Sequence, residues 1–326
     1  MNPTKNDFEA LFEHRMNDEQ MREFLMRLKL DGSTPVSVIS DAAQVMRSHA
    51  IALKVAPSLQ SNLIDIVGTG GDKSGSFNVS STVSILLAGA GAYVAKHGNR
   101  SITSKSGSAD VLEYLGIKLD LDLEKNAQLL EETGFAFLFA QYHHPAMKFI
   151  MPIRRSIPEK TLFNILGPLT NPVGLSKILL GVFDEVFVPK MVQAAQNMGM
   201  SSAIVVSSRE KMDEISISDI TYAARLHNNK IDYFEIDPEA VGIKKAPFEA
   251  ILGGDAVANA TIFKDILNNR STDAQRDIVL INAGYALIAE GMARDIQEGL
   301  EIARDTLQSG KAAKKLEQII SVSSKL

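Results

Sequence analysis

From residue 63 onward, the chain alternates short, continuous apolar runs with longer segments of helical periodicity. Strands that are apolar throughout are buried on both faces, which is typical of a parallel or mixed sheet covered by helices. Two runs of alternating polarity flank Asn228-Asn229 and predict a hairpin over 220–236. We therefore expect an α/β fold with a mixed, mostly parallel sheet flanked by helices. The predicted parallel strands are NLIDIV, AYVAK, FAFLFA, KILLGVF and SAIVVSS, which begin at residues 62, 92, 135, 177 and 202.

Residues 6 to 56 carry helical patterns only. Asn17 is placed to cap one helix, because acidic residues and an apolar stripe follow it. Thr34 is placed to cap the next helix, with Pro35 in the first turn, where its missing N–H costs nothing. The sequence therefore predicts a small all-helical domain ahead of the sheet.

The composition excludes several classes of protein. The net charge is −5, from 34 Lys and Arg against 39 Asp and Glu, so no global basic field attracts nucleic acid or an anionic membrane. Cysteine is absent, which excludes disulfides, thiolate zinc sites and a cysteine nucleophile. No apolar run approaches the roughly 20 residues of a membrane span, and the polar N-terminus is unlike a signal peptide. We expect a soluble, cytoplasmic protein with no nucleic-acid and no membrane partner.

The first predicted strand runs into a glycine-rich loop, GTGGDKSGSFNVSS, that precedes a helix. Such a loop offers backbone N–H groups and a helix N-terminus to an anion. Neither familiar phosphate-binding pattern fits, because Lys73 and Ser76 stand where glycine and lysine are required. The glycines fit a tight turn as well as a close ligand. Our hypothesis is that Gly71 admits a phosphorylated ligand and does not merely permit a positive φ.

Short polar side chains then begin the helix that follows the loop. Asn78, Ser80 and Ser81 fit ordinary N-capping. The same side chains could also offer donors to a phosphate and a serine oxygen to a metal. The sequence leaves both interpretations open.

A second polar stretch, AKHGNRSITSKSGSADVLEYLG, also lies between a strand and a helix. Its cations and hydroxyl groups suit a multiply charged anion, whereas the simpler interpretation is a solvated loop. Loops after neighbouring parallel strands meet at the carboxyl edge of a sheet, where α/β proteins place ligands. The polar side chains are Lys96, His97, Asn99, Arg100 and Lys105, with the hydroxyls of Ser101, Thr103, Ser104, Ser106 and Ser108.

A polyphosphorylated ligand normally binds together with Mg²⁺, so carboxylates are expected at the same edge. Asp213 and Glu214 follow the strand SAIVVSS and could return to that edge. An isolated Asp-Glu pair is, however, more commonly a solvated turn.

Several of these motifs together resemble the anthranilate phosphoribosyltransferase family. Their order and spacing match over almost the whole chain, and the run from Lys96 to Gly116 is the most specific. The matching motifs are GTGGD, NVSS, KHGNRSITSKSGSADVLEYLG, HHPAMKFIMPIRR, FNILGPLTNP and MDEIS.

The resemblance implies a set of site residues. Ser80, Asp213 and Glu214 would hold Mg²⁺, with about two ions per subunit. Gly68, Asn99 and Arg154 would contact anthranilate, Arg154 through the carboxylate. No residue is identified as a general acid or base. The residues implied for phosphoribosyl pyrophosphate are Gly68, Gly71, Asp72, Ser76, Asn78, Val79, Ser80, Ser81, Lys96, His97, Gly98, Asn99, Arg100, Ser101, Ile102, Thr103, Ser104 and Ser108.

The resemblance also implies an architecture and a reaction. A small helical domain of residues 1–62, joined by helices from about 150–176, would accompany an α/β domain of residues 63–149 and 177–326. Two subunits would form a homodimer through the helical domains. The enzyme would transfer the phosphoribosyl group of phosphoribosyl pyrophosphate to the amine of anthranilate, in tryptophan biosynthesis. Departures from the family pattern are Ser76 and Ser81, where threonine is frequent, and the lead VSSREK into the Asp-Glu pair.

Two other functions are compatible with a related fold. A pyrimidine nucleoside phosphorylase would have a glycine loop that begins Lys-His-Ser-Thr-Gly-Gly, which this chain lacks, and Arg154 also disfavours it. A non-catalytic paralogue that binds nucleic acid would be expected to lose Asp213 and Glu214 and to gain a basic surface.

Overall fold

The computed structural model describes residues 2–30, 32–100 and 105–326. No helix in these ranges has the length and apolar character needed to cross a membrane. The strands are β1 Leu63–Gly68, β2 Tyr93–Gly98, β3 Phe135–Phe139, β4 Lys177–Gly181, β5 Ser202–Ser208, β6 Thr221–His227 and β7 Lys230–Ile236. The helices are α1 Lys5–Phe12, α2 Asp18–Arg27, α3 Val36–Ser48, α4 Pro57–Gln60, α5 Val79–Ala90, α6 Ser108–Tyr114, α7 Leu123–Thr133, α8 Ala140–His143, α9 Met147–Arg155, α10 Phe163–Leu166, α11 Val188–Asn197, α12 Ala256–Leu267, α13 Asp273–Glu290, α14 Ile296–Gln308 and α15 Lys311–Ser323.

The strands form a 7-stranded sheet in the order β3-β2-β1-β4-β5-β6-β7. Strands β1 to β5 pair in parallel, and β6 and β7 pair antiparallel. Asn228 and Asn229 join β6 to β7 with φ of 49° and 60°, the left-handed conformation that a two-residue hairpin turn requires. The predicted mixed, mostly parallel sheet and its hairpin are confirmed.

The two faces of the sheet bury two separate apolar clusters, because successive side chains of a strand point to opposite faces. Ile64 and Ile66 of β1 belong to one cluster, which α5, α6 and α12 to α15 cover. Leu63 of β1, with Ile178 and Leu180 of β4, belongs to the other, which α11 and the N-terminal helices α1 to α3 cover. Both faces are therefore shielded, as continuous apolar strands require.

The N-terminal helices begin close to the expected residues, with one correction. Asn17 caps α2 by accepting a hydrogen bond from the backbone N–H of Gln20 at 2.9 Å. The predicted Thr34 cap of α3 is wrong. Pro35 itself occupies the N-cap position, because its ψ of 145° is extended and helical geometry starts only at Val36. The carbonyl of Thr34 instead accepts a hydrogen bond from Lys190 on α11.

The segment around 150–176 contacts these helices, as the domain prediction requires. Arg22 on α2 donates a hydrogen bond to the Ser156 hydroxyl at 2.5 Å, and Lys29 and Thr161 form an isolated β-bridge. The division of the chain into a helical and an α/β domain stays a prediction.

A buried asparagine fixes the loop that follows β5. Asn282 of α13 accepts a hydrogen bond from the Ile215 N–H at 2.9 Å and donates one to the Ile215 carbonyl at 2.9 Å. Both residues are buried away from water, so no solvent can replace the amide. The loop that carries Asp213 and Glu214 is thereby attached to the helix behind the sheet.

We expect Asn282→Leu to lower the free energy of unfolding by about 2–4 kcal/mol, because it leaves the N–H and the carbonyl of Ile215 unpaired. Urea unfolding followed by circular dichroism measures this change. The control is Asn6→Leu at an exposed position of α1, where we expect a change within about 0.5 kcal/mol. An Asn282→Leu variant as stable as that control would show that Asn282 does not hold the loop.

Candidate active site

Asp213 lies directly over the carboxyl ends of the two central strands. Gly68 ends β1 and Gly181 ends β4, and the two residues are paired in register. A Cβ at Gly68 would overlap the Asp213 carboxylate, and a Cβ at Gly181 would overlap the Asp213 backbone carbonyl. The Asp213 carboxylate also accepts a hydrogen bond from the Gly70 N–H at 2.6 Å. The first glycine of GTGGD is therefore needed for a close approach, and the group that approaches is a side chain of the protein.

The other glycines of the loop serve its backbone conformation. Gly70, Gly71 and Gly75 have φ of 66°, 72° and 73°, and no atom lies within 4 Å of a Cβ built on Gly70 or Gly71. The left-handed region is costly for any residue with a Cβ. Gly71 therefore does serve a positive φ, contrary to that part of the hypothesis, while the approach of a phosphorylated ligand to its backbone stays a prediction.

Three acidic side chains interact at this edge. Burial, and then the charges of Asp72 and Glu214, raise the pKa of Asp213 well above its usual range. Burial likewise raises the pKa of Glu214 to about 8, although Lys96 and the Ser80 N–H oppose the shift. Such a group of partly buried like charges is unfavourable by itself and is stabilised by a cation.

The cation already present beneath this group is Lys96. Its ammonium group is buried and donates hydrogen bonds to the Ile66 carbonyl at 2.6 Å and to the Ser80 hydroxyl at 3.2 Å. Burial lowers the pKa of Lys96, whereas Asp65, Glu214 and Asp213 raise it. Lys96 therefore lies between the carboxyl of β1 and those of the loop after β5.

The start of α5 faces the same group. The Ser80 N–H donates a hydrogen bond to Glu214 at 3.1 Å, so a carboxylate lies at the helix N-terminus. Asn78 holds the N-cap position but makes no capping hydrogen bond with its side chain. Its amide instead contacts the Ser106 carbonyl and Asn259. The Ser81 hydroxyl is buried without a hydrogen-bond partner in the described chain. The N-capping interpretation of these side chains is wrong.

The second polar stretch folds back on the N-terminus of α6. Ser108 donates a hydrogen bond to the Asn99 carbonyl at 3.3 Å, and a Cβ on Gly98 would collide with the Ser108 hydroxyl. Arg100 is paired with Asp110 and Glu113, which raises its pKa. Its charge is thus compensated by the protein in this structure. Four predicted residues, Ser101, Ile102, Thr103 and Ser104, lie outside the described residues.

Two histidines stand side by side below this stretch. The rings of His97 and His144 are 5.2 Å apart, and the Nε2 atom of each is buried without a hydrogen-bond partner in the described ranges. His97 donates through Nδ1 to the Gly167 carbonyl at 3.3 Å. Burial lowers the pKa of His97 to about 3 and that of His144 to about 4, so both rings are neutral at pH 7. Two buried acceptors therefore lack donors.

Arg154 lies on the last turn of α9. Its guanidinium contacts the Met151 sulfur at 3.8 Å and the face of Phe163 at 6.0 Å. Burial lowers its pKa, and no carboxylate contributes to the shift. Arg155 beside it is exposed. The described contacts do not join Arg154 directly to Gly68 or Asn99.

Three residues of this region were missed in the sequence. Asp65 is a carboxyl inside an apolar strand, and this pattern could have identified it. It accepts a hydrogen bond from the Asn171 amide at 2.9 Å, and burial raises its pKa to about 6. His144 and Lys160 gave no such signal, because their partners are distant in sequence. Lys160 donates a hydrogen bond to the Gly71 carbonyl at 3.1 Å and lies 3.2 Å from the ring centroid of Phe183.

Comparison with known proteins first defines a class. The glycosyl transferase family, a/b domain, matches residues 60–313, which include the sheet and the whole edge described above. This is a class of α/β proteins with the layered architecture seen here.

Full-length relatives then define the family. An anthranilate phosphoribosyltransferase from Xanthobacter autotrophicus is 42% identical over 99% of this chain and 93% of its own length. The crystal structure of anthranilate phosphoribosyltransferase from Thermus thermophilus superposes with a TM-score of 0.92, at 33% identity, covering 99% of this chain and 97% of that one. The Saccharomyces cerevisiae enzyme in complex with phosphoribosyl pyrophosphate and Mg superposes with a TM-score of 0.88, at 27% identity, covering 99% of this chain and 94% of that one. The chain belongs to the anthranilate phosphoribosyltransferase family, which confirms the resemblance of its motifs.

The two kinds of glycine in the loop should respond differently to alanine. We expect Gly71→Ala to cost about 1–2 kcal/mol of stability through its positive φ alone. Gly291→Ala is the matched control, because Gly291 has a φ of 95° and open space around it. Gly68→Ala should instead displace Asp213 and abolish turnover. Urea unfolding and activity assays measure both effects, and a fully active Gly68→Ala enzyme would contradict the proposed contact.

Proposed function

We propose that the protein transfers the phosphoribosyl group of phosphoribosyl pyrophosphate to the amine of anthranilate, a step of tryptophan biosynthesis. The products are N-(5-phosphoribosyl)anthranilate and pyrophosphate. The observation that carries the proposal is the acidic loop held over Gly68 and Gly181, facing the N-terminus of α5. The name and the bound molecules of the yeast relative support the same reaction.

The residues at this edge fit a magnesium site that the ligand completes. Asp213, Glu214 and the Ser80 hydroxyl are hard oxygen donors, and burial raises the pKa of both carboxyls, so a cation would stabilise their charged forms. In the described chain, the three acidic or histidine side chains whose ligand atoms lie within 4.8 Å of one another are Glu9, Glu13 and His49. The donors at this edge therefore do not form a closed cage. An open set suits Mg²⁺, which keeps waters and binds substrate phosphates. About two ions per subunit are proposed for these residues.

Residues of the chain and the metal would both stabilise the pyrophosphate leaving group. When bound, Mg²⁺ would supply positive charge to the pyrophosphate as the bond to ribose C1 breaks. Lys96 holds Ser80 in place and balances the carboxyls from below. The α5 N-terminus adds partial positive charge, and the polar side chains of Asn78, Asn99 and Ser108 can bind the phosphates and ribose.

The acceptor side needs orientation more than proton chemistry. An aromatic amine is already unprotonated at neutral pH, so no strong base has to act before attack. The Arg154 guanidinium is half-buried, no carboxylate of the described residues pairs with it, and it can form a charge-assisted pair with the anthranilate carboxylate. The buried Nε2 atoms of neutral His97 and His144 have no hydrogen-bond partner in the described chain, so they are further acceptors that a ligand could use.

We also propose a homodimer joined through the helical segments, acting in the cytoplasm. Exposed apolar side chains on α2 and α9, Met26 and Phe149, support a contact on this side of the molecule. Sedimentation or mass photometry of the purified protein would measure the assembly.

The direct test of function is loss of anthranilate fluorescence on adding phosphoribosyl pyrophosphate and Mg²⁺ to the purified protein. We expect turnover that stops when a chelator removes the metal. A protein that leaves anthranilate unchanged but cleaves thymidine in the presence of phosphate would instead be a nucleoside phosphorylase.

The acidic pair gives a prediction in which stability and activity separate. Because raised pKa values mean that folding favours the protonated acids, their ionisation lowers stability as the pH rises. The double variant Asp213→Asn, Glu214→Gln should therefore melt at or above the wild-type temperature at pH 8, yet lose activity by about a hundredfold or more. Asp232→Asn on the exposed hairpin is the control for charge alone. A double variant with near-normal turnover across a magnesium titration would refute the metal assignment.

The two neighbouring arginines of α9 give a second test. Arg154→Met should raise the KM for anthranilate by about tenfold to a hundredfold, because it removes a charge-assisted pair, and should change that for phosphoribosyl pyrophosphate little. Arg155→Met should leave both constants near wild type, because Arg155 is exposed. Equal effects of the two substitutions would argue against Arg154 as the acceptor contact.

A further inference from the structure

A second cavity lies at the opposite edge of the sheet from the candidate active site. It has a volume of about 610 Å³ and opens between the end of α3, the segment around Leu53, and the turns before β4 and β5. Ser176 and Gly199, which line it, come before their strands, whereas Gly68 and Gly181 end theirs. The length of a five-residue strand, about 16 Å, therefore separates the two sites.

The charged side chains that line this cavity are all positive. Arg47 and Lys54 line it, and no aspartate or glutamate of the described chain does. Most of the other lining residues are apolar by type, with the largely buried Leu53, Val173 and Met198 among them, and polar groups share the lining surface with them. A pocket of a few hundred cubic ångströms with apolar walls and a few charged groups is the usual form of a small-molecule site.

Arg47 is the residue that most requires a partner. It is half-buried, and burial lowers its pKa with no carboxylate contributing. No hydrogen bond or ion pair joins its guanidinium to the described residues. Its place in the last turn of α3 gives some stabilisation from the helix dipole, but this effect is worth only about 0.3–1 kcal/mol. A desolvated cation in a cavity is stabilised much more strongly by an anion.

The same combination occurs at Arg154. There too a half-buried guanidinium has no carboxylate partner among the described residues and lies against apolar side chains. The ligand proposed for Arg154 is an aromatic carboxylate. Arg47 thus repeats, at the other edge of the sheet, the local chemistry of the acceptor contact.

We propose that this cavity is a second ligand site, which binds a small organic anion with an apolar body. Arg47 and Lys54 bind the acidic group, and Leu53, Val173 and Met198 contact the apolar part.

Anilinonaphthalene sulfonate, an aromatic anion whose fluorescence rises on binding, is a suitable probe of the folded enzyme. We expect saturable binding to the wild type that weakens with added salt. Arg47→Met should weaken it by about tenfold or more, and Arg47→Lys by less, because the charge remains. Lys54→Gln, at an exposed position, should weaken it about twofold to fivefold without affecting the fold.

Arg154→Met is the matched control, because it removes a similar guanidinium from the candidate active site. Because an aromatic anion can also bind at Arg154, this variant should lose only the binding at the candidate active site and keep the component of binding that Arg47→Met weakens. If Arg154→Met abolishes binding while Arg47→Met and Lys54→Gln do not, the probe occupies the active site and the proposal is wrong. Equal affinity in all variants, or no saturable binding to the wild type, would also overturn it.

Discussion

The contact between Asp213 and the paired glycines Gly68 and Gly181 is the constraint on which the candidate site depends. Parallel strands β1 and β4 end side by side, and only glycine at both ends lets the loop after β5 cross above them. The crossing brings a carboxylate within hydrogen-bond distance of the glycine loop. Any side chain at either position would move the acidic pair away from the N-terminus of α5, and the oxygen donors would no longer converge.

This arrangement places charges where folding alone would not favour them. Asp213 and Glu214 are held close together and partly away from water, and Lys96, a cation that acts on both, is itself buried. The buried charges at this edge lower the stability of the folded protein, and they give the edge a strong preference for a cation and phosphate groups. Hydrogen bonds elsewhere hold the two loops in place, since Asn282 anchors Ile215 and Lys160 holds the Gly71 carbonyl.

The sequence was sufficient to predict the secondary-structure elements but not the contacts between them. Continuous apolar runs identified every parallel strand, because both faces of the sheet are buried, and Asn228-Asn229 identified the hairpin through its turn conformation. The glycine loop was recognised, but the sequence did not reveal the contact of Gly68 with Asp213 and could not decide the conformation of Gly71, since one depends on a residue 145 positions later and the other on a single dihedral angle. The partners of Lys160, His144 and Arg100 likewise depend on tertiary packing, which no local pattern encodes.

The most direct measurement is a crystal structure of the protein with Mn²⁺ in place of Mg²⁺ and with phosphoribosyl pyrophosphate, recorded at a wavelength where manganese scatters anomalously. The account predicts an anomalous peak about 2.0–2.5 Å from oxygens of Asp213 and Glu214, bridged to the pyrophosphate above the Gly68–Gly181 pair. A peak whose ligands include neither carboxylate, for example one held by Glu9, Glu13 and His49, would contradict the claim that this acidic loop is the metal site.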